Sequence, residues 1–214
     1  MRVLTDNIGF LVGGMLKTLE LTVLGFVGAL LAGTFLAVCR VAPIAPLRLF
    51  GALYVEFFRN IPLLSLLVLF IFGLPDSGIT FSLFKSAAIC LALSGSAFIC
   101  EAVRGGINAV PVGQAEAARA IGLPFTQCLR FVILPQALRV MVQPLVNVFI
   151  GVLLSSSLAA VVGVAELTNR SQQLNLQYAE AVICFVFAGL VYLVFALLGG
   201  SFGGWLERRL AIKR

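Results

Sequence analysis

Few residues in this sequence have the chemistry for catalysis or metal binding. The chain has no histidine, so it lacks the commonest metal ligand and the usual proton shuttle near neutral pH. Its five cysteines are scattered singly and form no C-x-x-C pair. We interpret them as small buried side chains; they are Cys39, Cys90, Cys100, Cys128 and Cys184. The sequence therefore predicts no catalytic residue and no metal site.

Charged pairs inside apolar stretches are better candidates for function. Glu56 and Arg59 are three positions apart, and Glu101 and Arg104 repeat that spacing. Residues three apart lie on one face of a helix, so the two members of each pair can neutralise each other. Ionisable groups within a membrane are costly and often functional. Two interpretations stay open for each pair: a structural pair at a helix junction, or control of a gate or a subunit interface.

A third candidate is a stripe of polar and small residues at intervals of four. Its members are Gln143, Asn147, Gly151 and Ser155, and Ser156 and Ser157 widen one end. On one helix such a stripe either lines a substrate pathway or lets neighbouring helices pack closely, and both interpretations stay open. Pro144 within the stripe predicts a local break that exposes backbone groups, as at many transport sites.

Composition indicates that membrane helices must position these residues. Of the 214 residues, 61% are hydrophobic and 11% are charged. An ordinary soluble domain has about 45–50% and about 25%. A chain of this length cannot bury such an apolar excess, so a soluble monomer is excluded. The apolar runs are continuous rather than alternating, which favours helices over a β-barrel. We predict an all-α integral membrane protein with one domain over residues 1–214.

Stretches of about 20 mostly apolar residues predict five transmembrane helices. They lie near residues 15–39, 49–73, 84–104, 136–158 and 180–206. With the N-terminus outside, ten of the fifteen Lys and Arg residues fall in inner segments and four in outer segments. This distribution predicts a multi-pass protein with a cytoplasmic C-terminus. It also explains the net charge of +6 without nucleic acid as a partner.

The longest polar connection, residues 105–135, lies on the cytoplasmic side in this topology. Pro111 suits the first position of a short helix, and Gly122 suits the left-handed residue that ends it. Pro124 then opens a second short helix, which we expect Pro135 to interrupt before the fourth span. The segment is predicted to form a compact helix–turn–helix that projects from the bilayer.

This segment carries a resemblance to a known family. Glu116-Ala117-Ala118, Gly122 and Leu134-Pro135 fit the spacing EAA-x3-G-x9-I-x-LP, with Val132 in place of the usual Ile. The stretches GQAEAARAIG, ILPQALR, VVGVAEL and YVEFFRNIPLL strengthen it. The sequence resembles the permease subunits of ABC importers for polar amino acids over most of residues 15–210.

The resemblance implies a set of partners. Glu116, Ala117, Ala118, Gly122, Leu134 and Pro135 would form a coupling segment that docks on a cytoplasmic ATPase dimer. That dimer would bind ATP and Mg, because this chain has no G-x-x-x-x-G-K-[ST] motif and is expected to be a transport subunit without a cofactor of its own. The other implied partners are a second permease subunit, either a paralogue or a copy, and an extracellular substrate-binding protein. The implied location is the bacterial cytoplasmic membrane.

The substrate is indicated by the resemblance alone. The stretch ICEAVRGGINAVPVGQAEAARAIGL and the tail LERRLAIKR look most like glutamate-type permeases of Gram-positive bacteria. No residue demands glutamate, so glutamine, aspartate or a basic amino acid stay open. Many such permeases have Lys-Asp-Thr-Ser where this chain has Leu154-Ser155-Ser156-Ser157. A partner subunit or the binding protein would then supply specificity. An ion-gradient-driven carrier is the alternative of another class, but the sequence shows no internal repeat.

Overall fold

The computed structural model describes residues 2–210, and all regular structure in that range is helical. The α-helices are α1 (Arg2–Asp6), α2 (Ile8–Val41), α3 (Ala45–Asn60), α4 (Leu63–Val68), α5 (Leu83–Asn108), α6 (Val112–Ala120), α7 (Phe125–Gln127), α8 (Leu134–Ser155), α9 (Leu167–Tyr178) and α10 (Ala181–Leu210). The all-α prediction is confirmed. Residues 211–214, which include Lys213 and Arg214 of the predicted basic tail, lie outside the described residues.

Four helices are long and apolar enough to cross a membrane. They are α2, α5, α10 and the helix that runs from Phe125 to Ala160. The fifth candidate is broken, because α3 and the following helix, which ends at Ser77, meet at an angle of 101°. The prediction of one continuous span over 49–73 is therefore wrong. The ring of Pro62 disfavours helical backbone at Ile61, whose ψ is 131°, and the chain turns there.

Two other prolines have less effect than predicted. Pro135 does not interrupt the helix that begins at Phe125, because a π-helical turn over Cys128–Ile133 precedes it. In that turn the Leu134 N–H donates to the Leu129 carbonyl five residues back, and the wider turn leaves room for the proline ring. Helix α8 also continues through Pro144, so the predicted break is absent from this helix. Packing against α5 and α10 holds it together.

The core forms where α2 lies along α5. An added Cβ at Gly33 would lie 2.6 Å from the Ser96 carbonyl oxygen, and one at Gly25 would lie 2.9 Å from the Leu91 Cβ. Small residues let the two backbones approach closely, as is usual between membrane helices. Large apolar side chains such as Leu31 and Leu198 point outward and are exposed, as lipid contact requires.

The five cysteines lie in the interior of the fold. All five are free and buried, which confirms the interpretation of them as small core residues.

We call the end of the bundle that carries residues 105–135 the loop end, and the opposite end, where Ser82 and Glu166 lie, the far end.

Candidate functional site

A cavity of about 370 Å³ lies between α5, α8 and the start of α4. Helix α8 contributes Asn147, Gly151 and Ser155, which the interval of four places on one face. Helix α5 contributes Ser94 and Phe98, and Leu63 of α4 closes one side. Among the described residues that line the cavity, the polar groups are amides and hydroxyls and none is charged. Such a lining can hydrogen-bond a small polar solute.

The structure divides the predicted polar stripe. Asn147, Gly151 and Ser155 line the cavity together. Gln143 lies nearer the loop end, where its side-chain N–H donates to the Glu207 carboxylate of α10 at 2.7 Å. Ser156 is fully buried, and its hydroxyl donates to the Leu153 carbonyl at 2.7 Å. The stripe therefore both lines a cavity and joins helices, at different positions.

The contribution of α5 to the cavity was missing from the sequence analysis. The small residues Ser94 and Gly95, within a predicted span, are the signal that could have indicated it. Phe98 gave no such signal, because a phenylalanine in an apolar run is indistinguishable from a lipid-facing one.

The segment between α5 and α8 forms the predicted turn. Helix α6 ends in a left-handed residue, Gly122, whose φ is +86°. The N–H of the next residue, Leu123, donates to the Ala118 carbonyl at 3.1 Å, which closes the end of the helix. Within α6, Ala118 is buried, whereas Glu116 and Ala117 are exposed.

The tip of this segment is apolar as well as exposed. Val112, Ile121 and Phe125 are each more than 70% exposed. Leu134 and Pro135, at the other end of the motif, are half-buried where α8 begins. Thus the motif residues have two kinds of position. Ala118, Gly122, Leu134 and Pro135 shape and anchor the turn, whereas Glu116 and Ala117 lie on its surface.

The two predicted charge pairs have different outcomes. Glu101 and Arg104 form an ion pair at 3.2 Å, and Arg40 of α2 also pairs with Glu101. These three half-buried residues, the loop-end cluster, tie α2 to α5.

Glu56 and Arg59 do not pair with each other, so the prediction that they neutralise each other is wrong. The Glu56 carboxylate accepts instead from the Asn60 side chain at 3.1 Å. The Arg59 guanidinium lies over the Phe98 ring, 5.7 Å from its centroid. The aromatic face competes for the cation, and both charged side chains are exposed.

At the far end, Glu166 forms a buried hydrogen-bonded cluster that the sequence analysis did not identify. Its carboxylate accepts from the Tyr192 hydroxyl at 2.6 Å, the Thr18 hydroxyl at 3.2 Å, and the backbone N–H groups of Thr168 and Asn169 at 2.9 and 2.8 Å. This far-end cluster caps α9 and joins it to α2 and α10. Burial raises the pKa of the Glu166 carboxyl, and the hydrogen bonds it accepts partly offset that rise.

Within residues 2–210, no group of three acidic or cysteine side chains is arranged to hold a metal ion. The features that remain are a largely apolar cavity between membrane helices, with polar groups from Ser94, Asn147 and Ser155, and an exposed turn that connects two of the helices lining it. These features are those of a helical membrane protein with an internal cavity.

Comparison with known proteins identifies the family. Residues 29–212 match the model of the binding-protein-dependent transport system inner membrane component. The chain is 36% identical over 208 residues to a probable glutamine ABC transporter permease protein, GlnM, of Bacillus subtilis, covering 97% of this chain and 96% of that protein. It is 38% identical over 194 residues to the probable glutamine permease GlnP of the same organism, covering 87% of each.

A solved structure gives the same result. A chain in the crystal structure of an amino acid ABC transporter with histidines matches with a TM-score of 0.92 and 32% identity, covering 96% of each chain. This chain therefore belongs to the family of inner-membrane components of binding-protein-dependent transport systems. The family resemblance inferred from the Glu116–Pro135 motif is confirmed.

Proposed function

We propose that this chain is a permease subunit of an ATP-driven importer for polar amino acids. The observation that carries the proposal is the exposed turn around Gly122, because it is continuous with α5 and α8, which both line the cavity. Movement of the turn is therefore transmitted directly to the cavity walls. Such a link is what an importer needs between a cytoplasmic motor and a membrane pathway.

The surface of the turn suits docking on an ATPase. Its exposed apolar side chains, Val112, Ile121 and Phe125, are suited to a hydrophobic cleft, and Glu116 adds a charge beside them. Buried Ala118 and left-handed Gly122 keep the turn compact, so that it acts as a lever. ATP and Mg would be bound by the ATPase subunits.

The family and the cavity support the remaining partners. A single chain leaves the cavity only partly enclosed, which supports a second permease subunit, a paralogue or a copy, that completes the pathway. An extracellular binding protein delivers substrate at the far end. The Lys and Arg distribution supports a cytoplasmic loop end, an outer N-terminus and a location in the bacterial cytoplasmic membrane.

Glutamate is the proposed substrate, and glutamine is the best supported of the alternatives, which also include aspartate and a basic amino acid. The likeness of residues 99–123 to glutamate-type permeases supports glutamate. The printed names of GlnM and GlnP support glutamine. Uptake of each labelled amino acid by vesicles that contain the whole importer, with the other as competitor, separates the two.

The coupling role is tested with a matched pair of glycines. An added Cβ at Gly122 or Gly113 meets nothing within 4 Å, but only Gly122 has a positive φ. Gly122→Val should misplace the docking surface and abolish uptake and substrate-stimulated ATP hydrolysis together, whereas Gly113→Val should leave both near wild type. Glu116→Lys should reduce both activities by reversing one surface charge.

Two results would count against this proposal. Full uptake by Gly122→Val, at wild-type permease levels on a blot, would exclude the turn as the coupling element. Uptake by vesicles without ATP, driven by a sodium or proton gradient, would favour the carrier alternative.

A further inference from the structure

Arg59 has an unusual position for a charged residue of a membrane protein. It lies in the last turn of α3, just before the break at Ile61–Pro62. Leu63, the first residue after that break, lines the cavity. The Arg59 side chain is exposed, so its charge is neither buried in the bundle nor covered by another helix of this chain.

The depth of Arg59 shows why this exposure matters. Earlier in α3, the Tyr54 hydroxyl is 2.8 Å from the Ser96 hydroxyl and donates to the Leu93 carbonyl at 3.2 Å, near the middle of α5. Arg59 lies over Phe98, close to the same level. A charge at that depth cannot face lipid without a large cost, so it must face the pathway or a polar ligand.

Arg59 also has no acidic partner among the residues that the structure describes. Within residues 2–210, the ion pairs are Lys17–Glu20, Arg40–Glu101 and Arg104–Glu101. The Arg59 guanidinium instead lies near the ring of Phe98, 5.7 Å from its centroid, and the Phe98 side chain forms part of the cavity wall. The guanidinium carries five N–H donors in a planar fork, which suits a planar anion such as a carboxylate.

The cavity itself lacks the charge that an amino acid requires. Its described lining has amides and hydroxyls for a polar side chain but no cation for an α-carboxylate. The segment Leu154–Ser157 at the end of α8 carries no charge and supplies none either. Arg59 is not itself a lining residue, but its guanidinium lies beside Phe98, which is one.

We propose that Arg59 binds the α-carboxylate of the transported amino acid at the mouth of the cavity. Phe98 is the positioning residue, because its ring attracts the guanidinium to this side of the cavity. Asn147 and Ser155 then face the substrate side chain. The inference rests on the proposed function, since it names how that function's substrate is held.

The test measures ligand binding by the purified permease–ATPase complex without its binding protein. The probes are L-glutamate and L-glutamine, each compared with its α-amide, which lacks the carboxylate. Ligand-dependent thermal stabilisation should be seen in the wild type with the acids and not with the amides. Arg59→Gln should weaken binding of the acids on the order of tenfold or more and remove the discrimination against the amides.

Three further variants keep the result interpretable. Arg59→Lys should keep part of the affinity because it keeps the charge, and Phe98→Leu should weaken the acids but not the amides. Arg48→Gln removes an arginine from the same helix, where its guanidinium contacts the Ala42 carbonyl far from the cavity. It should bind both acids as the wild type does. If Arg59→Gln has a lower melting temperature than the wild type in the absence of ligand, ligand binding is compared between Arg59→Lys and the wild type instead.

The inference is overturned if Arg59→Gln retains wild-type affinity, or if the wild type binds acid and amide equally. It is also overturned if the wild type binds none of the four probes. Uptake by wild-type vesicles supplied with the binding protein separates these failures from a failure of the proposed function. Normal uptake leaves the importer assignment in place, whereas absent uptake of both amino acids removes it.

Discussion

The two ends of the bundle are held together by different chemistry. At the loop end, Arg40, Glu101 and Arg104 are partly exposed and join α2 to α5 by charge. At the far end, Glu166 is fully buried and joins α2, α9 and α10 by hydrogen bonds, with no ion pair to an arginine or lysine among the described residues. The loop-end cluster is partly hydrated and ionic, whereas the far-end cluster is buried and held by hydrogen bonds.

This difference bears on which end can move. A partly exposed ion pair can exchange partners and be replaced by water at a lower cost than a fully buried group. A buried carboxylate that has lost its donors pays the full desolvation cost, so the helices around it stay together. We infer that α9 remains fixed to α2 and α10 during transport, whereas the α2–α5 junction at the loop end adapts when the coupling segment moves.

The largest effect should come from Glu166→Ala. It leaves the N-terminus of α9 uncapped and the Tyr192 hydroxyl without its acceptor, so the free energy of unfolding should fall by about 3 kcal/mol. Thermal denaturation of the purified complex measures the change. Glu166→Gln, which keeps an acceptor, should lose less. Equal stability of Glu166→Ala and the wild type would show that the far-end cluster does not hold the helices.

A smaller effect is expected for Tyr192→Phe. This change removes the 2.6 Å hydrogen bond to the Glu166 carboxylate and keeps the ring, at a cost of about 1.5 kcal/mol. Tyr178→Phe, at an exposed tyrosine of α9, is the matched control and should have no effect on the melting temperature. If both variants melt alike, the hydroxyl at Tyr192 contributes nothing.

Glu101→Ala should cost still less, about 1 kcal/mol, because its partners are partly solvated and water can replace the carboxylate. The difference from the wild type should shrink as NaCl is raised, since salt screens exposed charges. The difference for Glu166→Ala should not change with salt. Salt dependence at the far end instead of the loop end would reverse the comparison.

The smallest effect concerns pH. Because burial raises the pKa of Glu166, the folded protein binds a proton more readily than the unfolded chain does. The stability from this group is therefore complete below the pKa of the unfolded chain and is lost as the pH rises through the folded pKa. The melting temperature of the wild type relative to Glu166→Gln should fall as the pH rises above the ordinary glutamate pKa of about 4.3. A relative rise would contradict a carboxyl group whose pKa is raised by burial.

The sequence was sufficient for the features that depend on local chemistry. The apolar runs predicted membrane helices because the bilayer requires about 20 apolar residues per span. Gly122 predicted a left-handed turn because a residue without a Cβ takes that conformation at little cost. The interval of four placed Asn147, Gly151 and Ser155 on one face, and the cavity lies there.

Proline was the least reliable local signal. Pro62 breaks its helix, whereas the helices at Pro135 and Pro144 continue. A proline always removes one N–H donor, but whether the helix ends there depends on what packs against it. A π-helical turn accommodates Pro135, and neighbouring helices hold α8 together at Pro144. None of these contacts can be read from the residues next to the proline.

Tertiary structure alone decided which charges meet. Glu56 and Arg59 have the spacing of an ion pair, yet the Arg59 guanidinium contacts the ring of Phe98 in another helix. Arg40 and Glu101, and likewise Thr18, Glu166 and Tyr192, are brought together from distant parts of the chain. Spacing along one helix fixes only which side chains share a face. The partner of a buried or half-buried polar group is set by the helix that packs against it. The physical reason is that a buried polar group without a partner pays its desolvation cost.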